Sequence, residues 1–184
     1  MLNHQGSPVL CGARVRLRPY KAGDGKAVFD AWAGDPQVTK YMNFPTHTDP
    51  QVTERLVQMW EEGYESPTVY RWVIEVQGET AGDLSAVRWN AEDEWCELAC
   101  CLARKYWNRG LMTEALNAVL DYLFETVGFH RVQMRHDAMN PASGRVMQKC
   151  GLKPEGILRG YKKRRDGSRA DICLYAMLRE DRQA

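Results

Sequence analysis

Apolar positions recur along this chain at two different spacings, and the switches between them predict an order of elements. In ARVRLRPY (13–20) apolar and basic residues alternate, which predicts a strand. GDGKAVFDAWAGD (23–35) predicts a short helix. TDPQVTERLVQMWEEGYE (48–65) predicts a firmer one, with Asp49 as its cap, Pro50 at its first position, and Val52, Leu56, Met59 and Trp60 as its apolar stripe. Three extended runs follow, VYRWVIEV (69–76), DLSAVRW (83–89) and WCELACCLA (95–103), punctuated by Gly78 and by NAEDE, which predicts an antiparallel meander.

Helical spacing then returns. Leu116, Val119, Leu120, Leu123 and Val127 form one stripe, with Gly128 as the stop. HRVQMRHD (130–137) alternates again, placing Val132, Met134 and His136 on one face. NPASGRVMQKCG (140–151) predicts a compact helix capped by Asn140, opened by Pro141 and ended by Gly151. GYKKRR and SRADICLYAML, joined by Asp166-Gly167, predict a closing hairpin. Helices that interrupt a largely antiparallel set of strands predict an α+β (mixed α/β) fold, with residues 1–184 as a single domain.

Totals narrow the choice of partner. A formal net charge of +1 leaves no global attraction to nucleic acid or an anionic membrane, so any anion site must be local. No apolar run reaches the ~18 residues of a membrane span, and MLNHQGSPVLCGARVRLRP lacks a signal peptide's apolar core, so a cytoplasmic protein is expected. The 6 cysteines form no C-x-x-C pair and the 4 histidines are scattered, so no metal site is expected. Reduced, buried thiols are the expectation instead.

Two places are equipped for chemistry. ARKYWNRGLMTEAL (103–116) ends in a Trp-Asn-Arg-Gly turn before the long helix. Helix N-termini carry unpaired N–H groups and the positive end of the dipole, which suits a phosphate. Gly110 permits close backbone approach and Arg109 adds charge, although an ordinary strand-to-helix turn has the same punctuation. Neither a Walker loop nor a G-x-G-x-x-G spacing is present. The second place is Asn140 to Ser143, where a hydroxyl lies in a helix's first turn, near the positive dipole end.

CELACCLARKYWNRGLMTEAL resembles the acetyl-CoA-binding core of the GNAT N-acetyltransferase superfamily. The likeness is strongest to the branch containing the ribosomal-protein-alanine N-acetyltransferases. NPASGRVMQKCGLKPEG and DGSRADICLYAML resemble that branch's later motifs, in order and at its spacing, from about Glu97 to Leu178. A looser match, VRLRPYKAGD, resembles its first strand.

The resemblance implies that amides around Arg109, Gly110, Met112 and Thr113 cradle the pyrophosphate of acetyl-CoA, with Asn108 in the same loop. Cys101, Leu102 and Ala103 would pair through their backbone with the pantetheine arm. Asn108 and Met112 replace small residues common at those positions. Asn140 would be both cap and cofactor contact, while some of Arg104, Lys105, Arg145 and Lys149 would meet the CoA phosphates. Ser143 becomes the candidate general acid, because the position that supplies a tyrosine in many relatives is Met147 here. Glu97 is the candidate base, acting through water.

The implied activity is acetyl transfer from acetyl-CoA to a primary amine by direct attack in a ternary complex, without an acyl-enzyme on Cys100 or Cys101. A protein N-terminus is the first acceptor; a polyamine, amino acid or antibiotic is the alternative, and a non-catalytic CoA-binding module a further one. His136, Asp137 and Glu155 are further carboxylate or imidazole candidates near the acceptor. The basic run Lys162, Lys163, Arg164, Arg165 and Arg169 reads as a solvated hairpin or an attractor of acidic substrate, and a homodimer is permitted.

Overall fold

The computed structural model describes residues 1–164 and 166–183, so that Arg165 of the basic run lies outside the described residues. Strands β1 (Leu10–Cys11), β2 (Val15–Arg18), β3 (Arg71–Val76), β4 (Glu79–Asn90), β5 (Trp95–Leu102), β6 (Arg131–Asp137), β7 (Lys153–Lys163) and β8 (Arg169–Leu178) form one sheet. Their order is β1-β2-β3-β4-β5-β6-β8-β7. Every pairing is antiparallel except β5 with β6. A parallel pair needs a long crossover. Helix α4 (Leu111–Asp121), prolonged by a π-turn over Tyr122–Val127, supplies it.

The strand alternation explains the two cores. Trp72, Ile74, Leu98 and Val132 turn to one face, where they meet Leu116, Val119 and Leu120 of α4 and Leu123 of its π-turn, all fully buried or nearly so. Val73 and Cys101 turn to the other face, under α1 (Gly25–Val28), the π-turn Phe29–Ala33 and α3 (Pro50–Gly63). The predicted stripe of α4 and the shared face of Val132, Met134 and His136 are both present. Gly128 ends the helix at φ +95°.

Helix α3 departs from expectation. Asp49 caps it through the Gln51 amide at 2.9 Å, and Pro50 opens it. Its buried residues, however, are Thr53 and Val57, whereas Val52 is 40% exposed and Met59 57%. The helix is turned by about one position because Thr53 reaches the His47 ring at 2.7 Å. Trp60 meanwhile packs between the Tyr20 ring, at 4.9 Å, and the Arg71 guanidinium, at 4.2 Å. Polar contacts thus outweigh the apolar count.

Other elements lay below the reach of patterning. They include β1, α2 (Pro36–Thr39) and α6 (Arg179–Gln183), all too short to show a period. β7 starts at Lys153, well before the expected run, and carries Pro154, which is tolerated because β7 is the sheet's outer strand. Among the cysteines, all free thiols, Cys11 is exposed and Cys100 and Cys173 half-buried rather than buried.

Decisive for the site, β5 and β6 pair only from Trp95↔Arg131 to Leu98↔Met134. Both strands continue, to Leu102 and Asp137, without bonding each other. The sheet is split there.

Substituting Leu120→Ala should cost about 2–5 kcal/mol of unfolding free energy in urea titrations, as a fully buried core truncation. Met59→Gln should change it by less than about 0.5 kcal/mol. A large loss for Met59→Gln would contradict the orientation of α3.

Candidate active site

The split leaves one edge of β5 open. Ala103 N–H donates to the Ala81 carbonyl at 2.7 Å, in register with Asp83↔Cys101. Antiparallel pairs alternate, so Cys101 and Ala103 direct their backbone groups at β4, while Cys100 and Leu102 direct theirs into the split. The expected pairing surface Cys101-Leu102-Ala103 is therefore corrected by one residue. The Leu102 carbonyl is also engaged already, accepting from Trp107 Nε1 at 2.6 Å. The groups left open to a peptide-like chain are Cys100 N–H and C=O and Leu102 N–H.

Beyond β5 the chain makes a 3₁₀ turn (Arg104–Tyr106) and then two left-handed residues, Asn108 at φ +60° and Gly110 at φ +76°. Asparagine is among the few residues besides glycine that adopt this conformation readily, which accounts for its place here. The first bond of α4 runs from Glu114 N–H to the Gly110 carbonyl at 3.1 Å. The amides of Leu111, Met112 and Thr113 thus have no carbonyl one turn back. The turn is exposed at Arg109 and Gly110 and half-buried at Thr113, while Leu111 and Met112 are buried residues of the core.

Glu114 holds the turn in place. Its Oε1 accepts from the backbone of Arg14 at 2.5 Å and of Val15 at 3.2 Å, tying α4 to the start of β2. The Arg14 guanidinium closes the brace, on Glu114 at 2.9 Å and on the Arg109 carbonyl at 3.0 Å. Burial pushes the Glu114 carboxyl up, and the Arg14 donors outweigh it, holding the group below its usual range.

Helix α5 (Pro141–Lys149) begins at the open end of β6. Asn140 stands at the cap position, yet its side chain makes no capping bond. Its amide donates instead to Ser143 Oγ at 3.4 Å, leaving that hydroxyl's proton available. The far end of α5 lies against α4, with Cys150 Sγ donating to the Thr113 carbonyl at 3.5 Å. Exposed Lys149 therefore flanks the amide row, and Ser143 lies about 9 Å away by helix rise. Arg104 and Lys105 are drawn off to Asp35 at 2.5 Å and Glu79 at 2.6 Å.

His136 is 9% exposed on the α5 side of β6. Its Nδ1 donates to the Asp137 carbonyl at 2.8 Å, while Nε2 is buried without a partner. A Cβ at Gly144 would come within 2.8 Å of that Nε2, so the ring is packed against the helix and faces no opening. Met147 is core.

On the opposite face Glu97 is 6% exposed and fully engaged. Arg135 Nη2 lies at 2.7 Å, Arg88 Nη2 at 3.0 Å and Gln133 Nε2 at 3.0 Å. Each carboxylate oxygen accepts from at least two N–H groups. Glu97 is the expected base, acting through water; in the structure these donors already engage both of its oxygens. Asp137 is clamped by Arg164 at 2.7 Å and 3.1 Å; burial pushes its carboxyl up, and Arg164 and the Met139 amide more than offset this. Lys162 of the same hairpin reaches the Tyr41 and Met42 carbonyls at 3.1 Å and 3.2 Å. Glu155 pairs with Arg131 at the closed end of β6, about 10 Å by strand rise from where the split begins.

Cys100 and Cys101 offer no nucleophile. Burial and the nearby Asp83 carboxylate push the Cys100 thiol up to about 12, and the same causes raise Cys101. Among the residues missed by reading the sequence are Arg88 and Arg135. Their roles arise only when distant strands meet, so no local spacing marks them.

Residues 14–153 match the family model described as Acetyltransferase (GNAT) domain. An uncharacterised N-acetyltransferase of Bacillus licheniformis is 26% identical over 170 residues, covering 91% of this chain and 94% of that protein. The ribosomal protein uS5-alanine N-acetyltransferase of Escherichia coli K12 is 31% identical over 86 residues, 47% of this chain and 44% of its own. The spermidine N(1)-acetyltransferase of the same organism is 25% identical over 144 residues, covering 78% and 75%. The solved microcin C7 self-immunity acetyltransferase, in complex with acetyl-CoA and AMP, shares the fold at a TM-score of 0.80 and 15% identity, covering 90% of this chain and 93% of its own.

At Gly110 a Cβ would meet only Arg14 Nη2, at 3.6 Å, so space is available and the +76° φ is the constraint. Gly110→Val should therefore weaken acetyl-CoA binding about tenfold or more by calorimetry, with the far-UV spectrum kept. An unchanged isotherm would remove the amide row from the site.

Proposed function

The chain belongs to the GNAT acetyltransferase family, and from its site we propose that the acetyl group of acetyl-CoA passes to an α-amino group, with a protein N-terminus as acceptor, by direct attack in a ternary complex. One arrangement carries the reading. The open edge of β5 runs between an unpaired amide row at α4 and the Ser143 hydroxyl at α5, with the acceptor side on the sheet's other face.

Acetyl-CoA supplies an activated thioester. The residues of this chain do the rest. The amides of Arg109 to Thr113, with Arg109 and Lys149 nearby, suit the diphosphate in both direction and charge. Cys100 and Leu102 offer strand-like partners to the amide-bearing arm. As the N–C bond forms and the C–S bond breaks, the electron pair goes to sulfur. Ser143 gives its proton there, aided by the positive end of α5, and regains one from the acceptor nitrogen through water.

The occupied lone pairs of Glu97, and the Arg164 clamp on Asp137, leave neither of these carboxylates poised as base. The acceptor must therefore arrive neutral by its own pKa. An α-amino group titrates near 7.7–8.0 and a lysine near 10.4, so at pH 7.5 the neutral fraction favours the α-amine by roughly several hundredfold.

Thiol release should be followed with acetyl-CoA and two peptide sets, one with a free N-terminus and one blocked there but carrying lysine. Turnover is expected for the first set, rising with pH through a half-maximum near pH 8 and levelling about one unit higher, and little for the second. Equal turnover of both would overturn the α-amine assignment. Ser143→Ala should lower kcat by about 10²-fold or more, with acetyl-CoA affinity held within about twofold. An unchanged kcat would end the proton-donor role.

A further inference from the structure

The β4–β5 ladder contains one irregularity, and it lies beside the split. Its register runs Ser85↔Ala99 and Ala86↔Leu98, then jumps to Arg88↔Glu97, leaving Val87 bulged out and 47% exposed. Along β4, Asp83 and Ser85 occupy the face that also carries Glu97, Ala99 and Cys101. Regular alternation would place Val87 next on that face and turn Arg88 away. The extra residue reverses this and brings Arg88 onto the Glu97 face, one row from the point where β5 and β6 part. Bulges re-aim side chains in this way and concentrate near active sites.

Charge around Glu97 does not balance. One carboxylate faces two guanidiniums, Arg88 and Arg135, and a neutral amide, Gln133. Arg135 is committed, with Nε and Nη2 on Glu97 and Nη1 on the Tyr161 hydroxyl at 2.8 Å. Arg88 touches Glu97 through Nη2 alone, and its side chain is 53% exposed. Nearby, Arg71 pairs with Asp83 and Arg164 with Asp137, whose carboxylate also feels the charge of Lys162. Arg88 therefore carries positive charge that the shared Glu97 does not offset, and its Nε and Nη1 make no hydrogen bond among the described residues.

We infer that Arg88 is a specificity-determining residue that binds a carboxylate of the acceptor, so that the substrate class is an α-amine with an acidic group a few atoms away. This rests on the transferase reading above. A guanidinium fork suits a carboxylate, and the polar face beside the split is where an attacking amine would lie. Cationic acceptors such as polyamines are disfavoured by the same charge. The acidic group has two sources, a free acidic amino acid or a peptide whose first residues include one.

The test compares kcat/KM on Ala-Glu, Ala-Gln and Ala-Lys N-terminal peptides and on free glutamate, for wild type, Arg88→Gln and Arg88→Lys. Wild type should prefer the Glu peptide, or free glutamate, over the Lys peptide by about tenfold or more. Arg88→Gln should collapse that ratio toward one, with the loss in KM for the acidic acceptor rather than in kcat, and Arg88→Lys should restore part of it. A role of Arg88 confined to holding Glu97 would lower all acceptors alike, and that result overturns the inference. Turnover without charge preference in wild type also overturns it while leaving the transferase reading intact. Turnover of none of the four acceptors, with acetyl-CoA bound, overturns both.

Discussion

The parting of β5 from β6 after Leu98 and Met134 is the constraint on which the site depends. Two parallel strands that stop bonding expose backbone donors and acceptors beside a packed core, and such groups are costly to leave unmet. Here the chain meets only part of that demand itself. Trp107 takes the Leu102 carbonyl, and the groups of Cys100 are left to the split. A ligand that resembles a strand is the chemical complement of that edge, and the ends of parallel strands in a sheet are where such crevices form.

The rest of the architecture keeps the split open and aligned. α4 and α5 both start at its mouth because each follows one of the two parallel strands. The fully buried stripe of Leu116, Val119, Leu120 and Leu123 fixes α4 on the sheet. Glu114 and Arg14 then fix its first turn to β2, so the amide row is held before anything binds. On the opposite face the arginine-bound Glu97 and Asp137 give a polar floor whose charges are restrained by one another. Preorganised donors of this kind cost no rearrangement when charge develops.

Much of this was legible in the sequence, and the exceptions share a cause. The stripe of α4, the Asp49 cap and the left-handed Gly110 and Gly128 are local features, which spacing and residue type encode directly. The amide row at Gly110 and Ser143's place in the first turn of α5 follow from the same local rules. What went astray depends on partners far along the chain. The face of α3 was set by His47 and Arg71, the register of β5 by Ala81, and the engagement of Glu97 by residues on β4 and β6. Asn140 looked like a cap, and its side chain turned to Ser143 instead. The bulge at Val87 leaves no mark in a one-dimensional pattern.

Amide hydrogen exchange with and without CoA tests the split most directly, because it reads the very groups that lack partners. Binding should slow exchange at Cys100, Leu102, Leu111, Met112 and Thr113 by about tenfold or more, while the interior of β3 is unaltered. Saturating CoA that leaves those five amides exchanging as before would contradict the assignment of this edge and turn as the cofactor's seat.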